Sequence, residues 1–465
     1  MVKERPAYLT IADAVRDAVR SGAYPPGARL PSVRDLGEQW GVSLATAAES
    51  YRLLEREGYL ISAPKRGFFV TDEMPSDSPA AQVGEAGMSS DLKRSVVSDA
   101  GGGATPGQSP WASGALASEL QPLDLLSKSM KAMARTTASG ELTALHPAGH
   151  RGLREMVARQ LHLCRCAVAP EEIVLTGGIA ESYGLALDQL CSPGDRVAVV
   201  VPASPLLLRA LEHRGVAVVE IGCDHSRGPD MRALRSLCRD NPPAALVISP
   251  NVAHATGQSL DSKTRLALAR LLGDTGVPVI EDDSHGELAF DGATRGFLRG
   301  NDSRVDSIIL GGWERSLGPA LACAWLACGS RSEALLAGKA LRGGIGNPMA
   351  ESMVAWIIDS GGHHRHLQHL RDRLRADWQR CAGVLERLLP KRSRLWTPQG
   401  GYLCWIELPQ LEQVEELLVR AAAHGETLVR GNLFARQGAC DRCLRFNVGG
   451  FDAAAATRLE SFMET

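Results

Sequence analysis

The chain has 465 residues, 44% hydrophobic and 22% charged, which fits a soluble globular protein of more than one domain. Its formal net charge of -2 excludes a global positive field, so any charge that binds nucleic acid must be local. No run of roughly 18 apolar residues occurs, which excludes a transmembrane helix. The first six residues lack the apolar core of a signal peptide, and a cytoplasmic protein is expected.

In chain order, Tyr8, Ile11, Ala12, Val15 and Val19 recur at helical spacing. Tyr24-Pro25-Pro26-Gly27 ends that helix. Ser32-Val33-Arg34-Asp35 is a capping-box start for a second helix. Gly41 closes the second helix, and Ser43 caps a third that runs to about Glu57 and stops at Gly58. Ile61-Ser62-Ala63 and Gly67-Phe68-Phe69-Val70 read as two short strands around Pro64-Lys65-Arg66. Three helices and a hairpin predict a winged helix-turn-helix over residues 1–72. Residues 73–115 are rich in Ser, Gly, Ala and Pro and read as a flexible linker. Residues 116–465 alternate strand-like and helical runs, the pattern of an α/β domain with a largely parallel sheet. A smaller α+β part is expected from about residue 360. The eleven cysteines are expected to be ordinary reduced thiols, including the close pairs Cys164/Cys166 and Cys440/Cys443.

Gly27-Ala28-Arg29-Leu30-Pro31-Ser32-Val33-Arg34-Asp35-Leu36, Gly41-Val42-Ser43-Leu44-Ala45-Thr46 and Leu53-Leu54-Glu55-Arg56-Glu57-Gly58-Tyr59-Leu60 together resemble the GntR-type winged-helix signature. The resemblance implies that the third helix enters the major groove and that the wing follows phosphates. Ser43, Leu44 and Thr46 then approach DNA at the helix start, and Arg34 and Arg52 hold phosphates or read guanine edges. Lys65 and Arg66 sit at the wing tip. Ser43 as a plain cap and Arg52 as a solvated charge are the simpler alternatives.

The second block carries Pro147-Ala148-Gly149, Thr176-Gly177-Gly178, Ser249-Pro250-Asn251, Thr256-Gly257, Glu281-Asp282-Asp283, Ser316-Leu317-Gly318-Pro319 and Arg445-Phe446-Asn447 in order. These landmarks resemble a fold-type I aminotransferase, which uses pyridoxal phosphate (PLP). Winged helix, linker and aminotransferase-like domain in one chain resemble the MocR subgroup of GntR regulators. The subgroup implies a head-to-tail homodimer, a DNA operator as partner and a cytoplasmic location.

The family's lysine, in a Ser-x-Ser-Lys context, is replaced by Arg315 within Gly312-Trp313-Glu314-Arg315-Ser316. A protonated guanidinium has no lone pair for a Schiff base. By the same resemblance the pyridinium carboxylate is kept as Asp282 and the substrate-carboxylate arginine as Arg445. The phosphate arginine falls on Ala322, the phenolate Asn on His254, the phenolate Tyr on Ser284 or His285, and the stacking aromatic on Ser204. Ala144 stands near the place of a tyrosine that reaches the partner subunit. No catalytic residue, no metal and no bound PLP are expected.

Gly177, Gly178, Asn251, His254, Asp282, His285, Arg315 and Arg445 are expected to line the old cofactor pocket and to admit a small anionic metabolite. Other readings stay open, among them a large domain that only dimerises, with His254 and His285 as satisfied core histidines. Asp282 pairs with Arg315 as a structural ion pair, PLP binds non-covalently through Asp282 and Thr176-Gly177-Gly178, or an enzyme uses another lysine such as Lys339. Asp282, His254 and His285 are a weaker candidate for a metal. His363, His366 and His369 share a helix face that is expected to be solvated.

Overall fold

The computed structural model describes residues 7–20, 24–25, 27–56, 59–63, 67–71, 109–136, 146–225, 228–292, 295–344 and 346–463. The chain divides into two compact units, Met1–Gly87 and Met88–Thr465.

The first unit contains α1 (Ala7–Arg20), α2 (Val33–Trp40), α3 (Leu44–Arg56), β1 (Leu60–Ala63) and β2 (Gly67–Val70). Ser32 Oγ accepts the Asp35 amide and the Asp35 carboxylate accepts the Ser32 amide, each at 3.2 Å, so the capping box starts α2. Gly41 ends α2 at φ 64°, a left-handed conformation that glycine adopts without a Cβ penalty. Ser43 Oγ accepts the Thr46 amide at 3.2 Å and starts α3. The apolar stripe of α1 (Ile11, Ala12, Val15, Val19) packs with Leu36, Ala47, Tyr51 and Leu54. β1 and β2 form an antiparallel hairpin that pairs Leu60 with Val70, and the 28–30 main chain bonds to its outer edge. Lys65 and Arg66 lie outside the described residues.

In the second unit an eight-stranded sheet has the order β3-β10-β9-β8-β7-β4-β5-β6. The strands are β3 (Ile173–Thr176), β4 (Arg196–Val201), β5 (Ala217–Asp224), β6 (Gly228–Pro229), β7 (Ala245–Ile248), β8 (Val279–Asp282), β9 (Ser307–Gly312) and β10 (Ala324–Ala327). β5, β4, β7, β8 and β9 run parallel, while β10 is antiparallel to both β3 and β9. Helices bury both faces, which is why central strands such as Ala-Leu-Val-Ile of β7 are apolar throughout. A second, antiparallel sheet, β11 (Arg394–Trp396), β12 (Leu403–Glu407), β14 (Cys443–Asn447) and β13 (Val429–Arg430), packs with the helices Leu411–Ala423 and Ala453–Met463.

Two expectations are corrected. Residues 109–115, read as the end of the linker, are built into the second unit, and Trp111, Ala112, Ser113 and Ala115 are buried there. Small residues that suit a linker also suit a tight path through a core. The start of the helix Gly362–Leu388 is not wholly solvated. His363 is buried, with Nε2 3.4 Å from Ser316 Oγ and 3.5 Å from Glu287 Oε2, and His366 Nε2 lies 2.8 Å from the Ser316 carbonyl. His369 remains exposed. No described helix is long and apolar enough to cross a membrane. All eleven cysteines are free.

Candidate functional site

In an open parallel sheet, ligands bind at the carboxyl ends of the strands. Asp282 closes β8 at that end. Its Oδ2 accepts the Tyr183 hydroxyl at 2.5 Å and the Ser249 hydroxyl at 3.3 Å, and its Oδ1 accepts the Ser284 amide at 2.9 Å. The alternative of an ion pair with Arg315 finds no such bridge here; hydroxyls and an amide serve this carboxylate instead. Asp282 and Tyr183 border a cavity of about 410 Å³ shared with Ser204, Ser249, Asp261 and Gln399. Arg315, His254, His285 and Arg445 do not line it.

The turn Gly177-Gly178 leads into the helix Ile179–Leu190 and aims its first amides out of the helix end, the arrangement that holds a phosphate elsewhere. Here the chain's own carboxylates meet those amides. The Gly177 amide donates to Glu181 Oε2 at 2.6 Å, and the Ile179 amide points to Glu314 Oε1 at 3.4 Å. Gly178 sits at φ 136°, and a Cβ there would come within 2.8 Å of Glu314 Oε2 and 3.8 Å of Ala322 Cβ. Ala322, where the resemblance calls for the phosphate arginine, is therefore beside the same turn. Burial pushes the Glu314 carboxyl up, while Arg315 and the Ile179 amide oppose it. Glu314 was missed in the sequence. The signal was there, since it stands on the second Ser of the family's Ser-x-Ser-Lys.

Arg315 is 3% exposed, and its Nη1 donates to the Gly114 carbonyl at 3.3 Å. Tyr402 donates to the same carbonyl at 3.3 Å. Arg445 is fully buried and directs its two terminal nitrogens at the same segment. Nη2 reaches the Ala112 carbonyl at 3.1 Å, and Nη1 reaches the carbonyls of Trp111 (3.4 Å) and Ser113. Asn447 holds the Ser113 and Ala115 carbonyls at 3.0 and 2.8 Å. The His254 and His285 rings meet edge to face at 5.4 Å, and His254 stacks on Phe434 at 5.9 Å. Burial, then Arg315 and His254, keep His285 neutral, well below the usual imidazole range. The structure thus gathers Arg315, His254, His285 and Arg445 into a buried cluster and turns Asp282 toward the open cavity. Asn251 joins neither. Its amide bridges Asp283 Oδ1 (2.9 Å) and the Gly296 amide (3.0 Å).

These residues do not fit PLP. A lysine is lacking at Arg315, a phosphate cation at Ala322, and an aromatic at Ser204, whose hydroxyl accepts the Leu206 amide at 3.2 Å and caps a helix. Lys339 offers no substitute where it stands, since its Nζ is held by the carbonyls of Pro147 (3.0 Å) and Leu175 (2.7 Å). Ala144 lies outside the described residues. Among the described residues no group of three His, Cys, Asp or Glu is placed to hold a metal ion.

On the first unit Ser43, Leu44, Arg34 and Arg52 are exposed and Thr46 half-buried, with Leu44 59% exposed. Ser43 Oγ and Thr46 Oγ1 share a hydrogen bond of 2.9 Å, so the capping alternative describes Ser43 as well. Arg34 pairs with Glu38 at 3.2 Å and Arg52 with Glu49 at 3.7 Å, both in solvent, where such pairs exchange readily for phosphate.

A winged helix-turn-helix and a fold-type I aminotransferase-like domain in one chain define a class of bacterial regulator. The family model for aminotransferase class I and II matches residues 108–460, and that for bacterial regulatory proteins of the gntR family matches residues 7–70. The chain belongs to the aminotransferase class I and II family and carries an N-terminal gntR-family unit, a combination that matches the MocR subgroup of GntR regulators. It is 28% identical over 445 residues to the HTH-type transcriptional regulator YdcR of Escherichia coli, covering 95% of this chain and 94% of that one. It is 28% identical over 370 residues to the pyridoxine biosynthesis transcriptional regulator PdxR of Corynebacterium glutamicum, covering 79% and 75%. Among solved structures, the α-aminoadipate aminotransferase LysN of Thermus thermophilus shares the fold at TM-score 0.71 and 24% identity, over 81% of this chain and 95% of that one. The chain is an HTH-type transcriptional regulator with an aminotransferase-like domain.

Proposed function

We propose that this regulator binds a specific DNA operator as a homodimer and performs no transamination. The observation that carries the second half is Arg315, a permanent cation where a nucleophilic amine is required. The self-bonded amides at Gly177 and Ile179 and the loss of a cation at Ala322 support weak or absent PLP binding. A small anionic effector at Arg315 and Arg445 would share these guanidinium groups with the main-chain carbonyls of Gly114 and Ala112. The cavity beside Asp282 is the better seat for an effector. Its volume of about 410 Å³ suits a small metabolite.

The test is an absorbance titration of the purified full chain with PLP, followed by borohydride reduction, beside an Arg315→Lys variant. No shifted band and no reducible adduct are expected in the native protein. A reducible adduct there would mean that another lysine serves, and would return the chain to the PLP-sensing or enzymatic readings.

A further inference from the structure

We infer that Glu314 is the chain's own occupant of the phosphate seat at the amino end of the helix Ile179–Leu190, so that this domain folds with an internal anion and excludes a phosphate from outside. The inference rests on the reading of an abandoned cofactor site and adds the group that took the cofactor's place.

Three observations meet at this point. Glu314 is buried, and its carboxylate faces the turn closely enough that a single methyl on Gly178 would lie 2.8 Å from Oε2. An external anion cannot share that space. The Ile179 amide is directed at Oε1, and Glu181 Oε2 takes the Gly177 amide, so one amide of the turn and one of the helix start meet carboxylates of the chain itself. Ala322 stands beside the same turn where the resemblance calls for an arginine. Without that cation, a doubly charged phosphate loses its partner.

Charge and entropy favour the exchange. A phosphate carries close to two negative charges and must surrender translational freedom to bind. Glu314 carries at most one, is already tethered, and has the guanidinium of the next residue as countercharge. Two neighbouring substitutions relative to the Ser-Lys motif thus compensate each other: Glu at 314 replaces the bound anion, and Arg at 315 keeps the positive charge of the lysine. Among the described carboxylates, Glu314 alone has this double position, next to the lysine's place in sequence and against the phosphate turn in space.

The test uses the full chain and inorganic phosphate as the probe, with chloride at matched ionic strength as control. Thermal unfolding is followed against phosphate for the native protein and for Glu314→Ala. The native midpoint should not respond beyond the chloride control. Glu314→Ala should melt lower in chloride and rise saturably with phosphate, with an apparent affinity at least about 10-fold tighter than the native protein's. Adding Ala322→Arg to that variant should tighten phosphate by a further factor of about 10. A merely structural Glu314 would be costly to remove but would not be rescued by an anion. If Glu314→Ala does not fold in chloride, recovery of folding by phosphate supports the assignment, and Glu314→Ser is measured in the same way. A native protein that takes phosphate as well as the variants, or variants that show no phosphate response, would overturn it. Neither result depends on a Schiff base, so failure here is separable from failure of the PLP titration.

Discussion

Around Asp282, two other buried carboxylates show what desolvation does to an acid even where it has partners. Glu281 receives the Leu298 amide at 2.7 Å on Oε2, while its Oε1 is buried without a hydrogen bond. Burial pushes Glu281 up to about 7, against the pull of main-chain amides. Asp283 is pushed up to about 6 by burial, although Arg295 lies 2.5 Å away. A folded pKa above the unfolded one means that Glu281 contributes its full stability below its unfolded pKa and loses it as pH rises through about 7. Glu281→Gln keeps an acceptor for Leu298 and removes the charge. It should stabilise the chain more at pH 8 than at pH 5, with a difference of at most ~3 kcal/mol. Urea unfolding at the two pH values measures this, and equal effects at both would show that Glu281 stays ionised or is paired in solution. At this scale the sequence was readable where chemistry depends on residue type alone: Arg315 declares its own incapacity. It was silent on direction. Nothing in Arg445-Phe446-Asn447 says that the guanidinium meets the carbonyls of residues 111–113 rather than a ligand.

Helix α3 divides its residues between core and solvent. Leu54 is fully buried in the core of the first unit, whereas Leu44 opens the helix and is 59% exposed. Leu54→Ala should therefore cost ~2–5 kcal/mol of stability. Leu44→Ala should change stability by no more than about 0.5 kcal/mol. It should nevertheless weaken operator binding, because an apolar side chain at a helix start in the major groove contacts base edges such as the thymine methyl. Thermal unfolding and a fluorescence-anisotropy titration on one DNA duplex separate the two effects. A Leu44→Ala protein with native operator affinity would remove α3's first turn from the interface. The boundaries of α2 and the start of α3 were legible because local devices mark them, Ser32 with Asp35 for the start of α2, Gly41 for its end and Ser43 for the start of α3. The direction of β10 was not. A strand buried on both faces has no alternation to read, and its antiparallel pairing with β3 and β9 comes from the path of the chain rather than from its residues.

Over the whole molecule, charge is the quantity that limits a single DNA-binding unit. Residues 1–72 hold ten lysines and arginines and nine aspartates and glutamates, a net charge of +1. Such a module neutralises few phosphates, and its binding alone should be weak and only mildly salt-dependent. Joining two modules through a dimer makes the second contact intramolecular, with an effective concentration in the millimolar range. An operator with one half-site scrambled should then bind about 10²-fold more weakly than the intact one. The slope of log affinity against log salt should fall to about half, because half as many counterions are released. The linker's true end matters to this geometry. Composition places it at residue 115, but Trp111, Ala112, Ser113 and Ala115 are buried in the second unit, so its end lies before them. Titrations of the full chain on both duplexes at two salt concentrations decide the matter. Equal affinity and equal slope on intact and scrambled operators would mean that each protomer reads DNA alone, and the paired half-site reading would have to be given up.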